Sequence, residues 1–203
     1  MSLQQTIMKR LFFSILFSFI VIYSFGQLKG GIKGGVNFCT FMVTQSGDLF
    51  ADESFNPKVS YHLGTYVQNS FNDYLAWQVE ILFSNKGYIQ EVDDNKITIS
   101  LNYLNLPVLF IYRPVKLLEL EIGPEFGYLV SGEEFMSSFD FGIDVGARFN
   151  ISDKFNAGLR FCQGLPFKMN LSRAEAEGYE PTYQNGVFQI YLGFNLISEP
   201  ADQ

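Results

Sequence analysis

His62 is the only histidine in the 203-residue chain, so any imidazole-based proton transfer would have to pass through it. Read with a period of two, Ser60, Glu80 and Ser84 fall on the same face as His62 across two adjacent apolar-alternating segments. A hydroxyl or activated water beside a histidine base, oriented by a carboxylate, is what a lipid-modifying enzyme or protease would use. The same residues equally suit a histidine that fills a polar interior beside a hydrogen-bonded neighbour. We read His62 in this second way and assign no catalytic residue. Cys39 and Cys162 are the two cysteines, and no Cys-x-x-Cys pair is present. With one histidine and no such pair, no metal or cofactor site is assigned. Glu91, Asp93 and Asp94 form an acidic loop whose spacing does not match a calcium-binding EF-hand, and solvation explains them.

Composition narrows the field further. Hydrophobic residues make up 47% of the chain, aromatics 17% and charged residues 17%, which is short of charge and rich in rings. Such a chain is not disordered. A formal charge of −7 leaves no basic stripe for neutralising phosphates, which argues against a nucleic-acid partner.

The N-terminus has the layout of an export signal. Lys9-Arg10 precedes the uncharged run Leu11–Phe25, and Ser24 and Gly26 are small residues before a cut at Gln27. The run is shorter than the roughly 20 apolar residues of a spanning helix. Residues 1–26 are therefore expected to be a signal peptide and residues 27–203 the mature domain. Gln27 in place of cysteine excludes lipoprotein acylation.

From there the pattern alternates almost without interruption. Val59, Tyr61, Leu63, Thr65 and Val67 alternate with Ser60, His62, Gly64, Tyr66 and Gln68. Similar runs over Ile32–Phe38, Leu75–Ser84, Ile97–Tyr103, Val108–Arg113, Leu118–Tyr128, Phe139–Asn150, Phe155–Phe161 and Phe188–Leu196 give eight antiparallel strands, Pro107 marking a bulge or break inside the fourth. Longer polar connections at 42–57, 87–95, 132–137 and 166–183 alternate with tight ones near 69–73, 113–116 and 152–153. That asymmetry predicts an all-β fold: an eight-stranded antiparallel up-and-down transmembrane β-barrel with short periplasmic turns and longer extracellular loops. The longest loop, carrying Arg173, Glu175, Glu177 and Tyr179, is the first choice for partner contact.

A soluble lipocalin-like ligand carrier would also alternate, with its apolar face inward. The glycines of the polar face (Gly35, Gly64, Gly123, Gly127, Gly142, Gly146, Gly158 and Gly193) favour the opposite orientation, because they make room in a narrow lumen. The polar face also carries both signs of charge. A lumen network of Glu121, Glu125, Asp144, Arg148 and Arg160 follows, with a structural role. A turn centred on Ser152 would set Asp144 opposite Arg160, and the loop before the sixth strand would set Arg148 near Glu121 and Asp144 near Glu125. Cys39 and Cys162 would lie one strand apart, about 9.5 Å, which is too far for a disulfide unless it crosses the lumen, so free thiols are expected. Tyr74, Trp77, Tyr103, Tyr112, Tyr128 and Tyr191 are read mostly as an interfacial aromatic girdle.

Gly34-Gly35-Val36-Asn37, Tyr103-Leu104-Asn105-Leu106-Pro107, Glu121-Ile122-Gly123-Pro124 and Phe141-Gly142 occur in an order that resembles the PorT-like outer-membrane β-barrel family of Bacteroidetes. The resemblance covers residues 28–197, with Asn105 standing where the family pattern has Glu. It implies an integral outer-membrane protein of a Gram-negative bacterium, surrounded by outer-membrane lipid. The name-giving member takes part in type IX secretion, so the resemblance implies envelope or secretion proteins as partners, met through loops or turns. It defines no catalytic residues. The leading expectation is a non-enzymatic envelope barrel, followed by an enzyme, a channel (disfavoured because eight strands leave little lumen) and a soluble carrier.

Overall fold

The computed structural model describes residues 28–44, 54–92, 95–132, 137–168 and 182–197. The strands are β1 (Leu28–Thr44), β2 (Ser54–Ser70), β3 (Leu75–Val92), β4 (Asn95–Val115), β5 (Leu118–Ser131), β6 (Phe139–Asn150), β7 (Phe155–Gly164), the two-residue β8 (Phe167–Lys168) and β9 (Thr182–Ile197). Each long strand pairs antiparallel with its neighbour, and β1 pairs with β9, from Gly30↔Ile197 to Thr44↔Thr182. The eight long strands thus close a ring. β8 extends the line of β7 against β9.

Local chemistry sets the short turns. Asn72 Oδ1 accepts the backbone N–H groups of Tyr74 and Leu75, both at 2.9 Å, which stops β2 and starts β3. Ser152 Oγ accepts from Phe155 N at 3.1 Å in the β6–β7 turn. Lys116-Leu117 joins β4 to β5. Leu28 and Ile197 lie at this same end, which is the periplasmic end of such a barrel.

The apolar residues face outward. Val59, Leu63 and Leu192 each expose more than 60% of their surface, while Arg148 and Arg160 expose 1%. A ring of large apolar side chains outside and ion pairs inside is stable only when hydrocarbon replaces water around it.

Three details depart from the sequence-based expectation. β4 turns the other way: Leu101, Tyr103, Leu109 and Ile111 are buried in the lumen, whereas Leu104, Leu106, Val108 and Phe110 face out. Over residues 97–103 the alternation is inverted, with polar Thr98 and Ser100 exposed and Leu101 and Tyr103 buried, and over 104–111 both faces carry apolar residues, so alternation did not identify the inner face. Pro107 makes a break in the ladder, one of the two forms expected for it, and not a bulge. The β3–β4 ladder runs through Val79↔Val108 and resumes at Leu82↔Asn105 in the same register. β3 and β4 continue as paired strands to Val92↔Asn95, so residues 87–92 belong to a long hairpin and not to a loop. Tyr103 and Tyr191 are lumen residues at 0% and 1% exposure, leaving exposed Tyr74, Tyr112 and Tyr128 and half-buried Trp77 on the outer face. The N-terminal segment 1–27, Asp93, Asp94 and the loop carrying Arg173, Glu175, Glu177 and Tyr179 lie outside the described residues.

Candidate functional site: the charged lumen

The inward side chains form stacked layers. Nearest the short turns, Arg148 on β6 donates through Nε to Glu119 Oε2 at 2.8 Å and through Nη1 to Gln78 Oε1 at 2.8 Å. Its Nη2 reaches Glu119 again and Gln68 Oε1. Arg113 Nε adds a second cation to Glu119 at 3.0 Å.

The next layer is centred on Arg160 of β7. Its guanidinium forks onto Glu80, Nη1 to Oε2 at 2.8 Å and Nη2 to Oε1 at 2.7 Å, and Nη2 also meets Glu121 Oε2 at 2.8 Å. Planar, bidentate recognition of this kind is what arginine provides and lysine does not. Lys33 Nζ donates to Glu80 Oε1 at 3.1 Å and sits 3.6 Å from the centre of the Tyr191 ring. Tyr191 Oη donates to Glu121 Oε1 at 2.6 Å. That ring lies over β7 at Gly158, where any Cβ would collide with it.

Further toward the long loops, Lys86 Nζ donates to Glu125 Oε1 at 3.0 Å and Asp140 Oδ2 at 3.4 Å. Asn105 Nδ2 donates to the same Glu125 oxygen at 2.7 Å. The lumen then changes character. Phe41, Tyr88, Leu101, Tyr103 and Tyr183 pack together, with Phe41 stacked on Tyr88 at 4.1 Å between ring centres.

The expected lumen residues are thus all buried and inward, and Asp144 does lie near Glu125, with carboxylate oxygens within 4.8 Å of each other, but the registers of both hairpins differ. The β6–β7 register sets Asp144 against Cys162 and Gly146 against Arg160; Asp144 Oδ2 lies 3.6 Å from Arg160 Nη1, beside it and not opposite. The β5–β6 register sets Arg148 against Glu119, not Glu121, and Asp144 against Gly123. Each is displaced by two residues, because the connections centre elsewhere: Ile151 N bonds Phe155 O, and Leu129 N bonds Ser138 O. A two-residue slip keeps every side chain on its face. Sequence reasoning also left Glu80, Glu119, Lys33 and Lys86 out of the network, although their inward phase marked them.

His62 stands on β2 with Nδ1 2.6 Å from Asn37 Oδ1. Asn37 Nδ2 is in turn shared among Ser84 Oγ, Tyr61 O and Asn85 O. Ser60 Oγ donates to Asn85 O, and Glu80 is held by Arg160 and Lys33, so neither completes a triad with His62. Cys39 and Cys162 are buried free thiols packed against Val187 of the strand between them.

Comparison with known proteins agrees with the ring. A family model described as outer membrane protein beta-barrel domain matches residues 24–166. No curated protein matches the sequence significantly. Among solved structures, the outer membrane protein OprG from Pseudomonas aeruginosa is 12% identical, with 84% of this chain and 96% of that chain covered at a TM-score of 0.52. The attachment invasion locus protein Ail of Yersinia pestis is 13% identical, covering 84% of this chain and all of its own at 0.49. The OprG likeness is one of fold.

Proposed function

Because this chain belongs to the outer membrane protein beta-barrel domain family, we propose that it serves the outer membrane as a non-enzymatic barrel, structural or accessory to other envelope proteins. The observation that carries this reading is how the lumen is filled. Arg160, Arg148, Lys33 and Lys86 are held by carboxylates from other strands, Glu80 is held by Arg160 and Lys33, and the His62 imidazole is hydrogen-bonded by the Asn37 amide and by no carboxylate among the described residues. Buried ion pairs of this sort rigidify an interior and are poor material for a turnover site. Activity then belongs to what the barrel presents outside the bilayer, its long loops and its periplasmic turns. The PorT-like resemblance of Gly34–Asn37 and Tyr103–Pro107 directs the search toward secretion components as partners.

The test is cross-linking of envelope membranes followed by affinity purification of the tagged barrel and mass spectrometry. Enrichment of secretion or other envelope proteins over an unrelated barrel supports the accessory role. Turnover of lipid A or peptides by the purified protein would replace it with the enzymatic reading.

A further inference from the structure

Between the Arg160 and Lys86 layers, three side chains converge whose ligand atoms the charge network satisfies only in part: Lys86 and Asn105 hold one oxygen of Glu125, and Arg160 stands 3.6 Å from Asp144. Glu125 on β5, Asp144 on β6 and Cys162 on β7 each offer one ligand atom, and these atoms lie within 4.8 Å of one another. All three residues are at most 3% exposed. Cys162 Sγ reaches Glu125 Oε1 at 3.2 Å across β6. It can do so because residue 142, between them, is glycine: a Cβ there would stand 2.9 Å from the sulfur.

Glu125 Oε1 is supplied by Lys86, Asn105 and Cys162, but the other three carboxylate oxygens of the cluster lack hydrogen-bond donors. Neither Asp144 oxygen receives a hydrogen bond among the described residues, and neither does Glu125 Oε2. The cost of burying such atoms unpaired is high, and highest for carboxylates. Charge points the same way. The groups joined to this cluster by ion pairs are Lys33, Lys86 and Arg160 against Glu80, Glu121, Glu125, Asp140 and Asp144. Two negative charges are left over, and the bare oxygens mark where. On the far side of Glu80, Arg113 and Arg148 share Glu119, leaving one cation in surplus there.

We propose that Glu125, Asp144 and Cys162 form a buried site for one divalent cation of borderline softness, Zn²⁺ being the type. A thiolate with two carboxylates suits such an ion better than the all-oxygen sites of Mg²⁺ or Ca²⁺. One proton shared by the carboxylates would satisfy one oxygen pair and one charge; a divalent ion meets several lone pairs and both charges. On binding, the Cys162 S–H bond breaks, its electron pair forms the metal–sulfur bond and the proton leaves to solvent, with no change in metal oxidation state. The surplus cation of the Arg148 layer balances the new thiolate. Because the site is enclosed, the ion enters as the barrel closes. The site ties β5, β6 and β7 together, where Lys86 is the one cation paired with Glu125 among the described residues.

The test folds the full chain from urea into lipid vesicles under reducing conditions with Co²⁺, heat-modifiable gel mobility confirming the folded state of every variant. The expected result is one Co²⁺ per barrel and a thiolate-to-cobalt charge-transfer band, present in the wild type and in Cys39→Ser and displaced by Zn²⁺ added at folding. Cys162→Ser should lose the band, and Asp144→Asn should weaken retention by more than about tenfold. Gly142→Ala, which leaves all three ligands in place, should reduce the band by blocking the path of the sulfur. Folded wild type that retains neither Co²⁺ nor Zn²⁺ above a chelator-treated control overturns the proposal. So does a band that survives Cys162→Ser or vanishes in Cys39→Ser. An infrared carbonyl stretch of a protonated acid, removed by Asp144→Asn in a metal-free barrel, would assign the bare oxygens to a shared proton instead.

Discussion

The two ends of the lumen are filled by different physics. Toward the short turns, each contact has a direction: Arg160 requires Glu80 and Glu121 at set positions, and Arg148 requires Glu119, Gln68 and Gln78. Toward the long loops, Phe41, Tyr88, Leu101, Tyr103 and Tyr183 fill space through contact area and ring packing, which tolerates small displacements. Even the cation between the regions follows the division. Lys58 Nζ is held by Ser100 Oγ at 2.7 Å, Asn85 Oδ1 and two backbone carbonyls, with no carboxylate among these acceptors. The charged region selects one register, since any slip strands a buried charge. The aromatic region adds stability with less selectivity.

Removing the central cation should break this comparison most visibly. Arg160→Ala leaves Glu80 with Lys33 and strips Glu121 of its cation, so a loss of about 3–5 kcal/mol is expected. The urea midpoint of the heat-modifiable band in lipid vesicles reads it, with Arg173→Ala as the loop control. A midpoint equal to wild type would mean that the charged region does not hold the ring. Exchanging Asp144 with Arg160 should recover little, because Glu80 and Glu121 would then face a carboxylate. Substantial recovery would show that the 3.6 Å Asp144–Arg160 contact dominates.

Leu101→Ala tests the other region. The side chain is fully buried among Tyr88, Tyr103 and Phe41 and has no polar role, so about 2 kcal/mol is expected, the low end for leucine truncation. A cost matching that of Arg160→Ala would erase the distinction between the regions. With both regions filled, the reconstituted barrel should show no steady conductance in planar bilayers; reproducible single-channel steps would reveal a path past them.

How far these regions were legible follows from the same division. Lipid and lumen impose opposite polarity on successive residues, so most strands could be read by alternation, as in Val59–Val67 and Leu75–Ser84. β4 could not: at the aromatic end its inner face is apolar at Leu101 and Tyr103 while Thr98 and Ser100 point out, which inverts the pattern, and from Leu104 to Ile111 both faces carry apolar residues. Membership of the charged set was visible in its phase, but partners were not. Hairpin arithmetic links only adjacent strands and was displaced by two residues at both connections. Glu80 and Arg160 stand on β3 and β7, across the ring, and no local spacing relates them. Their meeting follows from closure of β1 on β9. The Cys162–Glu125 contact likewise depends on the gap at Gly142, which sequence spacing marked as roomy without saying what would use it.

The smallest effect is expected where the two regions meet. His62 is buried, its Nδ1 engaged by Asn37 and its Nε2 without a hydrogen-bond partner among the described residues. His62→Phe keeps a ring of similar shape, removes the unpartnered nitrogen and leaves Asn37 Oδ1 without its imidazole. The lost hydrogen bond and the removed polar atom act in opposite directions, and the net should be about 1 kcal/mol or less. Asn37→Ala should cost more, since Asn37 Nδ2 serves Ser84 and two backbone carbonyls. If His62→Phe moved the urea midpoint as far as Arg160→Ala does, the imidazole would belong to the charged network, and the boundary would have to be drawn on the other side of Asn37.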